Sequence, residues 1–182
     1  MKKSKVVLLV FSGILLLTLL VAFTSPSWET HENQKLIRAP KNIAWEVMAD
    51  VANYHHYATG ISAVEIVSGQ GLGMVRSCSQ GEASWTETCI LWDEGSAYAF
   101  DVNTEEGFPF PFNHFKGTWS LKEVQAGETL LIVRFDYQFS QRWMKWFYSG
   151  KTHLAMDDGS GILLGNWEDK ILEVHTKEEK LP

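Results

Sequence analysis

Leu131, Val133, Phe135, Tyr137 and Phe139 alternate with Ile132, Arg134, Asp136 and Gln138, the period of an antiparallel strand with one buried face. NQKLIRAP reads as an earlier strand ending at Pro40, and MVRSCSQ, WTETCILWDE, SAYAFDV and FKGTWSLKEV read as further strands. AVEIVSGQGLG is a strand running into a Gly-rich turn. Between the first two strands the period changes. In KNIAWEVMADVANYHHY, Ile43, Val47 and Val51 recur at helical spacing with Trp45 and Met48 alongside, and Pro40 suits the first turn. Asp50 and Asn53 predict a break and a second short helix. Near the end, Leu164, Trp167, Ile171 and Val174 mark a long helix with Asp157 and Asp158 at its front. One strand, two short helices, a run of hairpin strands and one long helix predict an α+β layer fold over 35–177. The long helix covers the concave face of the sheet, and 178–182 is a polar tail.

The first 24 residues stand apart. Lys2, Lys3 and Lys5 precede a charge-free run from Val6 to Phe23, about 27 Å long as a helix and close to the thickness of a bilayer's hydrocarbon core. It is read as an uncleaved membrane anchor or a removed signal peptide, the exit at Ala22-Phe23-Thr24 being a mediocre cleavage site. Either reading leaves the N-terminus cytoplasmic and the domain extracytoplasmic; cleavage would make it secreted or periplasmic. Residues 25–34 read as a polar linker. The segment holds three of the 16 basic residues and none of the 22 acidic ones, so the remainder has 13 basic against 22 acidic. That balance excludes nucleic acid as the expected partner. No phosphate loop, zinc-type Cys spacing or nucleophile elbow occurs, and no cofactor or metal is expected.

GFPFPFNHF, residues 107–115, is aromatic and strand-breaking at once. Extended, it places Phe108, Phe110 and Phe112 on one face, which fits a stiff aromatic lid, a core plug or a membrane contact. His114 beside it is a candidate polar group at the same edge. SQRWMKWFYSGK sets Trp143, Trp146, Phe147 and Tyr148 among Arg142, Lys145 and Lys151. It is either a membrane-interface cluster or the start of the long helix with Trp packed inward. Cys78 and Cys89 lie on neighbouring strands. They are diagonal or opposite according to whether the turn centres between Glu82 and Ala83 or one residue later, so a disulfide and two free thiols both remain open.

IRAPKNIAWEVMADVANYHHY, GQGLGMVRSCSQGEASWTETCILWDEGSAYAFDV and GTWSLKEV ahead of the C-terminal helix resemble the polyketide cyclase/dehydrase and lipid-transport family of the START-like, helix-grip (SRPBCC) superfamily. The resemblance covers residues 33 to 175. It implies a curved antiparallel sheet gripping a long helix, with an apolar cavity between them. Similarity to ligand-binding members, abscisic-acid receptors among them, implies that Glu87, Phe100, Val102 and Val133 face that cavity. Trp85, Cys89 and Leu91 share the face of Glu87 if their strand is unbulged, and Phe115, Gly117 and Trp119 form a matching set. With Trp167 of the helix and Phe108, Phe110 and Phe112 at the mouth, these give the candidate ligand-binding residues; Glu87 either orients a ligand or pairs with Arg76. Binding of a lipid or other hydrophobic small molecule by a membrane-anchored protein is the first expectation. A polyketide cyclase or dehydratase using the same cavity is the second. A domain with a filled interior, serving protein contacts or stress tolerance, is the third.

Overall fold

The computed structural model describes residues 10–18 and 28–180. A short helix, α1, covers 10–18. The rest comprises β1 (Trp28–Ile37), α2 (Lys41–Met48), a 3₁₀ helix (Val51–His56), β2 (Ala63–Ser68), β3 (Val75–Gln80), β4 (Ala83–Asp93), β5 (Ala97–Val102), β6 (Phe112–Gln125), β7 (Glu128–Phe139) and α3 (Arg142–Glu178). The seven strands form one antiparallel sheet in the order β1-β7-β6-β5-β4-β3-β2. Each strand from β2 to β7 thus neighbours the next in sequence, and the N-terminal β1 closes the far edge beside β7. This is the α+β helix-grip fold, with α3 lying across the curved sheet.

Burial follows the alternation that predicts it. On β7, Thr129, Leu131 and Val133 are inaccessible while Arg134 is exposed. The main core joins Ile37, Ile43, Met48, Tyr98, Phe100, Leu131 and Val133 to Leu163, Leu164, Trp167 and Ile171 of α3. Two hydrogen bonds pin α2 and its entry to the sheet. Tyr98 Oη donates to the Met48 carbonyl at 2.9 Å, and Thr129 Oγ1 donates to the Ala39 carbonyl at 2.9 Å. Pro40 takes the N-cap position of α2, one residue before the helix proper.

Two boundaries differ from expectation. The segment expected as a linker over 25–34 is strand from Trp28 onward, in unbroken register from Trp28↔Gln138 to Ile37↔Thr129. Its polar side chains fit because an edge strand can hold one face in water. The long helix begins at Arg142 rather than near Asp157, so the whole aromatic cluster is helical. The expected span Val6–Phe23 extends past α1 on both sides, outside the described residues. Among the described residues no helix is long and apolar enough to cross a membrane. The side chains of α1 are exposed, Phe11 at 70%.

Candidate functional site

Only the C-terminal part of α3 enters the core. Its buried residues run from Ser160 to Ile171, and the part before them bridges a gap. Between that part, the concave face of the sheet and the 103–111 loop lies a cavity of about 390 Å³, within the range of small-molecule sites. Alternate residues of the strands wall it: Trp85 and Glu87 on β4, Phe115, Gly117 and Trp119 on β6, with Val102 at the end of β5. Gly117 is required here. A Cβ on it would meet the Trp119 ring at 2.3 Å, so the indole lies over the bare backbone.

The polar centre of the wall is Arg76 with Glu87. They are direct cross-strand partners on β3 and β4, and Arg76 Nε and Nη2 both donate to Glu87 Oε2, at 2.8 and 2.6 Å. Trp85 Nε1 donates to Glu87 Oε1 at 2.8 Å. Arg76 is 1% exposed and stacks over Phe100, its Cζ 3.9 Å from the ring centroid. Burial works against the guanidinium charge, but the adjacent Glu87 carboxylate outweighs it and holds the Arg76 pKa above its ordinary value. Among the described residues Nη1 has no hydrogen-bond partner, nor does Trp119 Nε1. An unpartnered buried donor costs about 1–3 kcal/mol, and both of these belong to residues of the cavity wall. Tyr54, from the 3₁₀ helix, completes the box, packed edge-on against Trp119.

GFPFPFNHF divides into three parts. Phe112 opens β6, is 7% exposed and packs with Tyr137 and Phe139 as core. Phe110 is 47% exposed and forms the rim. Phe108 lies half-buried between them, in contact with both and with Trp85. The loop presses onto β4 at Gly107 (φ +71°), where a Cβ would fall 1.8 Å from the Ser84 carbonyl oxygen. His114 is absent from the cavity wall; it stacks on Trp28, with ring centroids 5.4 Å apart.

The wall includes eight of the expected residues: Trp85, Glu87, Val102, Phe108, Phe110, Phe112, Phe115 and Trp119. Phe100, Val133 and Trp167 face inward but are fully buried in the main core, at the end where α2 and the rear of α3 fill the space. Leu91 also departs from expectation. A bulge between Cys89 and Leu91 turns it outward, to 42% exposure. The β3–β4 turn centres between Gly81 and Glu82, earlier than either expected register. Gln80 pairs with Ala83 around Gly81 and Glu82, so Cys78 faces Trp85 and Cys89 lies beside Met74. Both cysteines are free and buried, and burial, then Glu87, pushes the Cys78 thiol up to about 12. Tyr54, Leu163, Met156 and Phe135 also line the cavity, outside the expected set.

A polar latch fastens the front of α3 to β1. Glu29 accepts from Ser149 Oγ at 2.6 Å and Tyr137 Oη at 3.2 Å, and pairs with Lys145 at 3.0 Å and His153 at 3.1 Å. Burial opposes the Glu29 charge, but the bonds from Ser149 and Lys145 prevail and lower its pKa. His31 sits 3.5 Å from both His153 and Ser160 and 4.0 Å from Asp157. Burial, then the neighbouring His153, lowers its pKa against the pull of Asp157.

A curved antiparallel sheet closed by a helix, with an apolar cavity opened by the lifted front of that helix, defines a helix-grip protein of the ligand-cavity kind. The model of the family described as polyketide cyclase/dehydrase and lipid transport matches residues 30–157, and the chain belongs to that family. Among curated proteins none matches. Solved structures share the fold at low identity. The Zhui aromatase/cyclase from Streptomyces sp. R1128 is 20% identical at a TM-score of 0.65, over 79% of this chain and 93% of that one. A protein from Thermus thermophilus is 17% identical at 0.65, over 80% and 99%. Norcoclaurine synthase from Thalictrum flavum, solved with dopamine and hydroxybenzaldehyde, is 13% identical at 0.63, over 80% and 87%.

Proposed function

We propose that the protein binds a lipid or other hydrophobic small molecule without covalent chemistry, its one polar end an uncharged oxygen acceptor directed at Arg76. The observation that carries this reading is an apolar, aromatic cavity walled in part by Arg76, whose buried Nη1 has no partner among the described residues. Glu87 already balances the Arg76 charge. A ligand carboxylate would therefore add uncompensated charge to a low-dielectric wall, whereas a carbonyl or hydroxyl would not. The family's lipid-transport description and the aromatic ligands of norcoclaurine synthase support the ligand class. A cavity of about 390 Å³ argues against a filled interior serving only protein contacts. The N-terminal run from Val6 to Phe23 supports attachment to a membrane, with the domain outside the cytoplasm.

The cyclase or dehydratase reading requires a base that is not already tied into an ion pair and hydrogen bonds of the wall. Glu87 is the acidic side chain on the wall among the described residues, and each of its oxygens already accepts a hydrogen bond from Arg76 or Trp85. That arrangement favours binding over proton abstraction. The test is displacement of a neutral polarity-sensitive dye by a long-chain methyl ketone and by the fatty acid of equal length. The ketone is expected to displace at lower concentration, and Val102→Trp, which fills the cavity, is expected to abolish dye binding. Stronger displacement by the acid, or full dye binding in Val102→Trp, overturns the proposal.

A further inference from the structure

The front of α3 is apolar on its outer side as well as its inner one. Trp143, Trp146, Phe147 and Leu154 are 56%, 54%, 73% and 72% exposed. At 100° per residue they fall on one stripe spanning three turns. Thr152, Ala155, Met156 and Gly159 occupy the opposite stripe and line the cavity. A helix apolar on both sides has two partners, and the described fold supplies one of them.

We infer that the second is a phospholipid bilayer, with the outer face of α3 from Trp143 to Leu154 lying in the headgroup region and the cavity behind it. Three observations favour this occupant. The stripe is rich in Trp and Phe with the exposed Lys151 beside it, in a domain otherwise acidic. Aromatic rings at headgroup depth beside cations that reach phosphate are what an interfacial helix carries. The chain enters the domain at the same end: Trp28 pairs with Gln138 and Phe112 with Phe139, immediately before α3 begins. The apolar run Val6–Phe23 ends five residues before Trp28 and so joins the domain at the end where the stripe begins. Finally, Phe110 and Lys151, at the rim of the cavity, lie at that end too, so a hydrophobic ligand could pass between bilayer and cavity without crossing water. Exposed residues and chain direction carry this placement, whichever ligand the cavity holds.

The test uses the full chain in vesicles of phosphatidylcholine and phosphatidylglycerol. A small fluorophore is attached in Leu154→Cys and, separately, in Ala126→Cys, which lies in the β6–β7 turn at the other end of the sheet. The buried, free Cys78 and Cys89 are poor competitors for the label. The label at 154 is expected to be quenched by nitroxide-bearing phospholipid and shielded from aqueous iodide, and the label at 126 to behave oppositely. Adding Trp146→Ser and Phe147→Ser should restore iodide access at 154 while the protein stays folded by circular dichroism. Equal iodide access at 154 and 126 overturns the inference. So does shielding at 154 without nitroxide quenching and with a doubled mass by light scattering, which would mean that a second copy covers the stripe.

Discussion

The two halves of α3 belong to one continuous helix but rest on different physics. From Ser160 to Ile171 it is held by Leu163, Leu164, Trp167 and Ile171, each at most 2% exposed. From Arg142 to Gly159 no residue is fully buried, and the helix is held by the Glu29–His31 latch and a few contacts around Met156. Hydrophobic burial fixes the first half. Hydrogen bonds and ion pairs, which are weaker and sensitive to pH, fix the second. A ligand cavity needs this division, because a front half packed as tightly as the rear would leave no volume to fill. The low-stability end of a fold is also where opening segments are found.

The largest expected effects lie on the core side. Trp167→Ala should cost about 3–5 kcal/mol in a urea titration, the range for emptying a buried aromatic site, whereas Phe147→Ala should leave stability within about 0.5 kcal/mol. Similar losses in the two variants would erase the distinction between the halves. Arg76→Met should also cost about 3–5 kcal/mol by leaving Glu87 buried without its partner, and Arg76→Met/Glu87→Leu should regain most of that. If the double variant is no better than the single, the pair is not an isolated unit.

The mouth repeats the comparison within five residues. Phe112→Ala should destabilise like a core substitution, and Phe110→Ala by under about 1 kcal/mol. Dye release should accelerate in Phe110→Ala, because rim contacts mainly govern escape. An unchanged release rate in Phe110→Ala would assign the rim no gating role.

The smallest effect is one of pH. The folded-state pKa of His31 is lowered, so between it and the unfolded value near 6.5 the unfolded chain binds more protons. The stabilisation is complete above about pH 6.5 and is lost as pH falls through the folded value. His153, Asp157 and Ser160 face His31 across the latch, and Glu29, on the strand of His31, binds the other ring nitrogen of His153. Amide exchange should therefore quicken in the front half of α3 on going from pH 7.5 to pH 5.5, relative to the rear half and after correction for intrinsic rates. Equal change in both halves would remove the latch from the account.

Much of this is legible from spacing alone. Alternation places β7 and the lining pairs Trp85–Glu87 and Phe115–Trp119, because a strand's period of two needs no tertiary knowledge. The remainder depends on contacts distant in sequence. Phe100, Val133 and Trp167 point inward as expected, but which end of the concave face stays empty is decided by where α2 and α3 pack. One extra residue before Leu91 reverses its direction. Arg76 is legible as the direct partner of Glu87 once Gly81-Glu82 is read as a two-residue hairpin loop with glycine first. Tyr54 carries a weaker signal: a large aromatic following Val51 on the short helix, without a strand period to orient it. Trp28–Gln34 reads as a linker because its polar residues mask an edge strand whose pairing lies a hundred residues away.

Native mass spectrometry of the full chain, extracted in mild detergent from cells that produce it, tests the central claim most directly. The wild-type chain is expected to carry a neutral, oxygen-containing hydrophobic adduct that survives buffer exchange. Val102→Trp, folded by circular dichroism, is expected to carry none. A wild-type chain without adduct, or the same adduct on both proteins, would contradict the claim that the space beneath the front half of α3 is a ligand site.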